Sequence, residues 1–449
     1  MAYPSTAYSP QLIKRIFFSG AIGNIIETYD LILISLMATT LSKVFFPPSV
    51  NPYTHVIDVL YVYIIGLLVR PIGNIIMGSF ADQIGRKKLM ITSLIFTGLG
   101  TVLIGILPTY ESIGVWSTIF FISLRIFINF FAGIEYVNSA TYLIESSEKN
   151  TRGFYASWTA LGISGGYLLA SLTTLIVYSL IKQNFIPAWS WRFVFFFSLF
   201  GIIFGTWIRY SIPESLMFIM NNSAIKPTKK LSILKNSIIF IKNNPTQCLS
   251  ISAITFLGSF LTFIYYLYIP IYLMTNRDFS QTEVSSLNVL SLSLVVILIP
   301  IFGKLSDSYN KIMLLKLVCL SVFILAIPFF WLATYGTFRQ ILILSFFISI
   351  PSACFFSLYP SIITESFPSK IRCTTASLIY QVVVSLEMGT LPLFINYLVK
   401  LTKIPYFTGY MLVISTIVGY LGLIFIKQVV TNENCREENK GFELRALQK

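Results

Sequence analysis

Apolar residues run through this chain in long blocks, separated by short polar segments that carry glycine or proline. A helix rises about 1.5 Å per residue, so about 20 predominantly apolar residues are needed to cross the hydrocarbon of a bilayer. Blocks of that length lie at 16–41, 57–80, 89–107, 115–143, 155–181, 191–210, 248–274, 284–303, 312–332, 340–360, 374–398 and 406–427. The pattern predicts an all-α membrane protein with 12 transmembrane helices. No long soluble domain fits between any two of the blocks.

Composition points the same way. Of 449 residues, 55% are hydrophobic and 11% charged, whereas soluble domains carry roughly 25% charged residues. A compact soluble fold could not cover so much apolar surface, so the bilayer must act as solvent. Aromatic residues reach 16%, and more than half are phenylalanine, which suits lipid-facing and interfacial packing.

The formal net charge of +14 would suggest nucleic acid in a soluble protein. Here it follows from topology, so no nucleic-acid partner is expected. Lys14 and Arg15, Arg86 to Lys88, Lys149, Arg152, Arg209, the 226–242 cluster, Lys304, Lys311, Lys316, Lys370, Arg372 and the cations from Lys427 onward fall on one side. The opposite loops hold Lys43, Lys182, Arg192, Arg277, Arg339, Lys400 and Lys403. By the positive-inside rule both termini are expected in the cytoplasm. The first block contains Glu27 and Asp30 and lacks a small-residue cleavage site, so it reads as a retained span and not as a signal peptide.

The five cysteines form no CxxC pair, and most sit in apolar runs, so they read as small hydrophobes. A single histidine, His55, cannot by itself make a zinc site or a histidine-based triad. No metal and no cofactor are expected.

Residues 213–246 are more polar and basic than their surroundings. They divide the chain into an N-terminal six-helix bundle at 1–212, a cytoplasmic central loop at 213–246, a C-terminal six-helix bundle at 247–430 and a short tail at 431–449. The halves share marks in the same order. Gly78-x-x-x-Asp82-x-x-Gly85-Arg86-Lys87-Lys88 follows span 2, and Gly303-x-x-x-Asp307-x-x-Asn310-Lys311 follows span 8. Glu145 precedes Arg152 by seven residues after span 4, and Glu365 precedes Arg372 by seven after span 10. Recurrence at equivalent loops indicates a duplicated unit and two pseudo-symmetric bundles. In the first loop Gly85 permits a tight turn, and Asp82 can cap a helix end. Asn310 replaces that glycine in the second copy and tolerates the left-handed conformation, so the turn is expected to survive there.

On the 78–88 loop and its copy the chain resembles the major facilitator superfamily. Gly23-Asn24-x-x-Glu27-x-Tyr29-Asp30, Phe45-Phe46-Pro47, Arg70-Pro71-x-Gly73, Leu107-Pro108-Thr109-Tyr110 and Arg152-Gly153-Phe154 with Ser157 are similar to its metabolite:proton symporters. Leu305-Ser306-Asp307 and Glu365-x-Phe367-Pro368-x-x-x-Arg372 agree in the second half. The resemblance covers about 15–430 and implies the major facilitator fold, gating loops at Gly78, Asp82, Gly85, Arg86, Lys87, Asp307, Glu145, Arg152, Glu365 and Arg372, and a monomer in a bacterial inner membrane. It further implies proton-coupled import of a small solute, of the proline or glycine betaine type. Small carboxylates such as 2-oxoglutarate, citrate or shikimate are the alternative cargo, and a non-transporting receptor is the alternative class. The enzyme reading lacks a nucleophile–base set or a metal cluster. The chain departs from the family pattern at Gly133-Ile134-Glu135, where Gly-Gly-Glu is usual, at Thr28, and in a tail of 22 residues after Lys427 without sustained heptads.

Ionisable groups within spans are costly and point to function. Glu27 and Asp30 share a helix face in span 1. Either can carry a proton, Asp30 in preference; the alternative is an ion pair with Arg70 or Arg125. In span 4, Arg125 and Glu135 are ten residues apart, about 80° around and about 15 Å along a helix, so they are not expected to pair. Arg125 can hold a substrate carboxylate or bridge to span 1, and Glu135 is a further proton candidate. Asn24, Tyr29, Tyr266 and Glu387 are the other substrate-binding candidates. Tyr265, Tyr266, Tyr268, Tyr359 and Tyr380 invite comparison with a cation–π cage, although packing and interfacial anchoring account for most rings in so aromatic a chain. Gly162, Gly165 and Gly166 suit close helix packing.

Overall fold

The computed structural model describes residues 10–48, 52–214, 230–368 and 371–446. Residues 215–229, with Lys226 and Lys229, lie outside the described residues, as do Lys370 and the side chains of Asp82 and His55.

The described chain is almost wholly helical, as a spanning segment must be when no water is at hand for its backbone. Its helices are α1 (Pro10–Leu36), α2 (Ala38–Phe45), α3 (Pro52–Ile84), α4 (Arg86–Ile106), α5 (Val115–Ala132), α6 (Glu135–Glu145), α7 (Arg152–Lys182), α8 (Ser198–Tyr210), α9 (Lys230–Asn243), α10 (Pro245–Thr262), α11 (Ile269–Asn276), α12 (Gln281–Ser308), α13 (Lys311–Tyr335), α14 (Phe338–Glu365), α15 (Arg372–Thr402) and α16 (Phe407–Ala446). Among the described residues, 11 stretches are long and apolar enough to cross a membrane. The twelfth span is α15, equally long but carrying the buried polar residues Gln381, Ser385 and Glu387. This is a multi-pass membrane protein. Phe200, Ile203, Phe204 and Trp207 form one stripe along α8 and are each more than half exposed; in water such a stripe would aggregate, and lipid covers it here.

Two pairs of long helices join the halves: α7 packs along α12, and α3 along α15. These are span 5 with span 8 and span 2 with span 11, so a shift of six spans exchanges one pair for the other. Within the first half, Gly162 lies on the backbone of Ala21 and Gly166 on that of Ile25. That close approach lets Thr28 Oγ1 donate to Ile163 O at 3.1 Å.

Several spans depart from the uniform helices expected. Span 1 breaks at Met37 between α1 and α2, and span 4 breaks at Gly133–Ile134 between α5 and α6. Span 7 passes through a single π-helical segment, Phe263–Tyr268, just before Pro270, which has no N–H to continue the α ladder. The stretch read as a central loop contains α9, and the tail continues α16 as helix to Ala446. The two gating-loop copies also differ. Gly85 takes φ +109°, as only glycine does freely. Asn310 sits at φ −65° and caps α13, its side chain accepting from Ile312 N at 2.9 Å. The expected left-handed turn is therefore replaced by an N-cap.

Candidate functional site

A cavity lies between the halves. Asn24, Glu27 and Thr28 of α1 and Arg70 of α3 line its first-half wall, and Ser259 of α10, Tyr359 of α14 and Tyr380 of α15 its second-half wall. Tyr136 of α6 and Tyr167 of α7 complete it.

Three buried acids of the first half each hold an arginine. Glu27 pairs with Arg70 at 3.0 Å, and Asp30 with Arg125 at 2.6 Å. Glu135 pairs with Arg209, which is wholly buried. Neighbours fix these pairs: Asn129 accepts from Arg70 Nε at 2.8 Å, Thr101 donates to Asp30 at 2.8 Å, and Ser93 donates to Glu135 at 2.7 Å. Only the Glu27–Arg70 pair touches the cavity.

The sequence candidates therefore separate. Asn24 and Glu27 line the cavity, and Asn24 also donates to Ser139 at 2.8 Å. Asp30 and Arg125 lie behind its wall, tied to each other, so the cation facing the cavity is Arg70 and not Arg125. Tyr29 is turned away: its hydroxyl donates to Val194 O at 2.6 Å. Glu135 is held by Arg209, a residue read from sequence as a surface loop cation; its position at the end of an apolar block hid its inward aim. Tyr266 lines a smaller neighbouring pocket and stacks on Tyr167 with ring centroids 5.5 Å apart. Glu387 touches the cavity through Ser259, whose hydroxyl donates to it. Sequence reasoning passed over Tyr136 and Tyr167, although Tyr136 follows Glu135 directly and Tyr167 follows the packing glycines.

The break in span 4 serves the site. It frees the Gly133 carbonyl, which accepts from Asn74 Nδ2 of the first half at 2.9 Å and from Gln381 Nε2 of the second.

At the end of the molecule rich in cations, here the basic end, the halves are locked. Asp307 at the end of α12 accepts from Gly153 N at 2.7 Å and Phe154 N at 3.0 Å, capping α7 from the other half. Arg152 meets Glu365 at 3.7 Å, and Lys311 meets it at 3.1 Å. Arg372 meets Glu145 at 4.0 Å, and Arg86 meets it at 3.5 Å. Gly78 packs against Thr374 across the same interface. Lys87 instead braces the first half, its Nζ donating to Tyr210 O at 3.0 Å. The sequence-read gating residues thus converge here, Asp82 standing outside what is described.

Residues 31–389 match the family described as the Major Facilitator Superfamily. The chain is 24% identical over 424 residues to the glycine betaine/proline/ectoine/pipecolic acid transporter OusA of Dickeya dadantii (strain 3937), covering 93% of this chain and 83% of that one. It is 28% identical to a putative proline/betaine transporter of Staphylococcus haemolyticus (strain JCSC1435), over 92% of this chain and 87% of that one. Among solved structures, the proton:xylose symporter XylE bound to 6-bromo-6-deoxy-D-glucose superposes with a TM-score of 0.69 at 17% identity, covering 94% of this chain and 96% of that one; the fold is the same.

Proposed function

The chain belongs to the major facilitator superfamily, and from that premise we propose that it is a proton-coupled symporter importing a compatible solute of the proline or glycine betaine type. It is a transporter and not an enzyme. Both termini and the basic end face the cytoplasm of a bacterial inner membrane, and the protein works as a monomer.

One observation carries this reading: a cavity lined by polar and aromatic residues between two pseudo-symmetric halves, which meet at the basic end through ion pairs, a helix cap and the packing of Gly78 on Thr374. Those contacts are small enough to break and re-form in each cycle. The halves, 1–212 and 247–430, rock about the cavity, so that it opens first to one face and then to the other. The Asp30–Arg125 pair lies one turn from the cavity-lining Glu27–Arg70 pair on α1. Protonating Asp30 releases Arg125, and that change passes to the cavity wall through Arg70, whose partner Asn129 also donates to Arg125 O at 2.8 Å. The relatives' printed substrates favour the compatible solute over the carboxylates.

Proteoliposomes carrying the full chain test the reading. Labelled proline or glycine betaine should accumulate under an imposed inward proton gradient, and a protonophore should abolish accumulation while leaving exchange intact. Uptake of neither solute would overturn the cargo, and absence of any gradient-driven uptake would overturn the symport.

A further inference from the structure

The two walls of the cavity differ in charge. On the first half, Glu27 and Arg70 neutralise each other. On the second half, Tyr359 and Tyr380 form an aromatic patch with Tyr136: ring centroids lie 4.8 Å apart for Tyr136–Tyr380, 6.3 Å for Tyr136–Tyr359 and 6.2 Å for Tyr359–Tyr380. Glu387 lies further along the same helix as Tyr380. It follows Tyr380 by seven residues, about 20° around the helix, and so shares the face that carries Val384 and Met388 into the cavity.

Glu387 is 5% exposed. Its Oε2 accepts from Ser259, a cavity residue, and its Oε1 is buried without a partner. Glu27, Asp30 and Glu135 each have an arginine; among the described residues no cation lies in ion-pair reach of Glu387. The helices packed on α15 bring Tyr63 and Arg70 from α3, Ser259 from α10, Tyr136 from α6 and Tyr359 from α14, and Arg70 is committed to Glu27 and Asn129. A buried carboxylate without a counter-ion is costly; Glu387 escapes that cost by holding a proton, or by meeting a cationic group brought in by the solute.

The register between α3 and α15 places this group relative to Arg70. Gly78 packs on Thr374 and Gly389 on Ile64. Arg70 therefore stands level with residues 382–383, and Glu387 lies about 7 Å further along the axis. Two of Arg70's five N–H donors are used by Glu27 and Asn129, leaving others to face the cavity.

We propose that the cavity selects a zwitterion by its cationic end: an ammonium head sits against Glu387 and the Tyr136–Tyr359–Tyr380 rings while the carboxylate faces Arg70. This rests on the compatible-solute reading and gives it a residue basis. It also excludes dicarboxylates, whose second charge would meet Glu387.

The test is counterflow of labelled glycine betaine in proteoliposomes of the full chain, competed by unlabelled glycine betaine or by 3,3-dimethylbutyrate, the isostere that keeps the carboxylate and replaces the quaternary ammonium with a neutral tert-butyl head. The wild type should prefer glycine betaine, the competitor with the cationic head, by about tenfold or more, as cation–π and carboxylate contacts imply. Glu387→Gln should bring that ratio close to one, and Glu387→Asp should restore most of it. Tyr380→Leu should lower the ratio where Tyr380→Phe does not, and it supplies the same readout if Glu387→Gln does not fold. An unchanged ratio in a monodisperse Glu387→Gln protein would overturn the proposal while the transporter reading stands. So would a Glu387→Gln protein that keeps the ratio and loses only proton-driven accumulation, since Glu387 would then carry the proton. A wild type that exchanges 2-oxoglutarate but neither proline nor betaine would overturn the cargo reading and this proposal with it.

Discussion

Arg152 at the start of α7 pairs with Glu365 at the end of α14, 3.7 Å away in the other half of the molecule. The equivalent residues of the other copy do the same in reverse, Arg372 meeting Glu145 at 4.0 Å. A motif repeated within the sequence is thus completed between the repeats.

Because the Arg152–Glu365 pair is partly exposed, at 18% and 30%, it contributes only about 0.2–1 kcal/mol. Glu365→Gln should therefore speed opening at the basic end by no more than about fivefold. The charge-reversed double variant Arg152→Glu with Glu365→Arg should return to the wild-type rate. Modification of a cysteine placed at Thr255 by a thiol reagent supplied from the basic end reads this out.

Asp307→Ala should have the larger effect. It removes two hydrogen bonds from a carboxylate to the first turn of α7, a loss of about 2 kcal/mol or roughly thirtyfold in the open–closed equilibrium. The same labelling assay should show it, with solute exchange faster than gradient-driven accumulation. Equal effects of Asp307→Ala and Glu365→Gln would show that the helix cap is not the principal latch.

Glu135→Gln leaves Arg209 buried without its counter-ion, and breaking a buried pair costs about 3–5 kcal/mol. The purified variant should melt at a clearly lower temperature by intrinsic fluorescence. Glu135→Gln combined with Arg209→Met should recover much of the loss. A single variant as stable as wild type would remove the structural role assigned to this pair.

Asp30→Asn tests the proposed proton-carrying role of Asp30 apart from the cavity wall, which Glu27 lines. Counterflow should persist, while accumulation driven by the proton gradient should fall by about tenfold or more. Glu27→Gln should instead weaken solute affinity, since Glu27 lines the cavity. Intact accumulation in Asp30→Asn would move the proton to another group.

Gly166→Val places side-chain atoms against the backbone of Ile25, and overpacking of this kind costs about 1–3 kcal/mol. Reduced yield and an earlier thermal transition are the expected outcome, with Gly165→Ala, which meets only Ile25 at ordinary contact distance, close to wild type.

The spans were legible because lipid makes one demand on all of them, a run of about twenty apolar residues. Their interruptions were not: the breaks at Met37 and Gly133 and the π-helical turn before Pro270 depend on tertiary partners that a hydropathy pattern does not carry. The duplicated Glu and Arg motifs pointed to residues that meet across the basic end, since recurrence survives without knowledge of contacts. The buried charges were legible as a set, and an ion pair of Glu27 or Asp30 with Arg70 or Arg125 was one of the readings offered; the partner of Glu135 was not legible. Arg209 read as a loop cation because it ends an apolar block. Arg125 read either as a substrate arginine or as a bridge to span 1, and it makes the bridge, to Asp30, while Arg70, from a motif marked for other reasons, faces the cavity. Which side of a span an arginine turns to is decided by the neighbouring helix.

The crossed Glu–Arg pairs bear on how such a molecule could have arisen. Two identical six-span subunits related by a two-fold axis would form both bridges automatically, each donating its arginine to the other's glutamate. A single-copy ancestor could therefore have closed as a homodimer before fusion. Fusion would free each copy to diverge, and the first half now carries four acid–arginine pairs of its own, whereas Glu387 of the second has no arginine among the described residues.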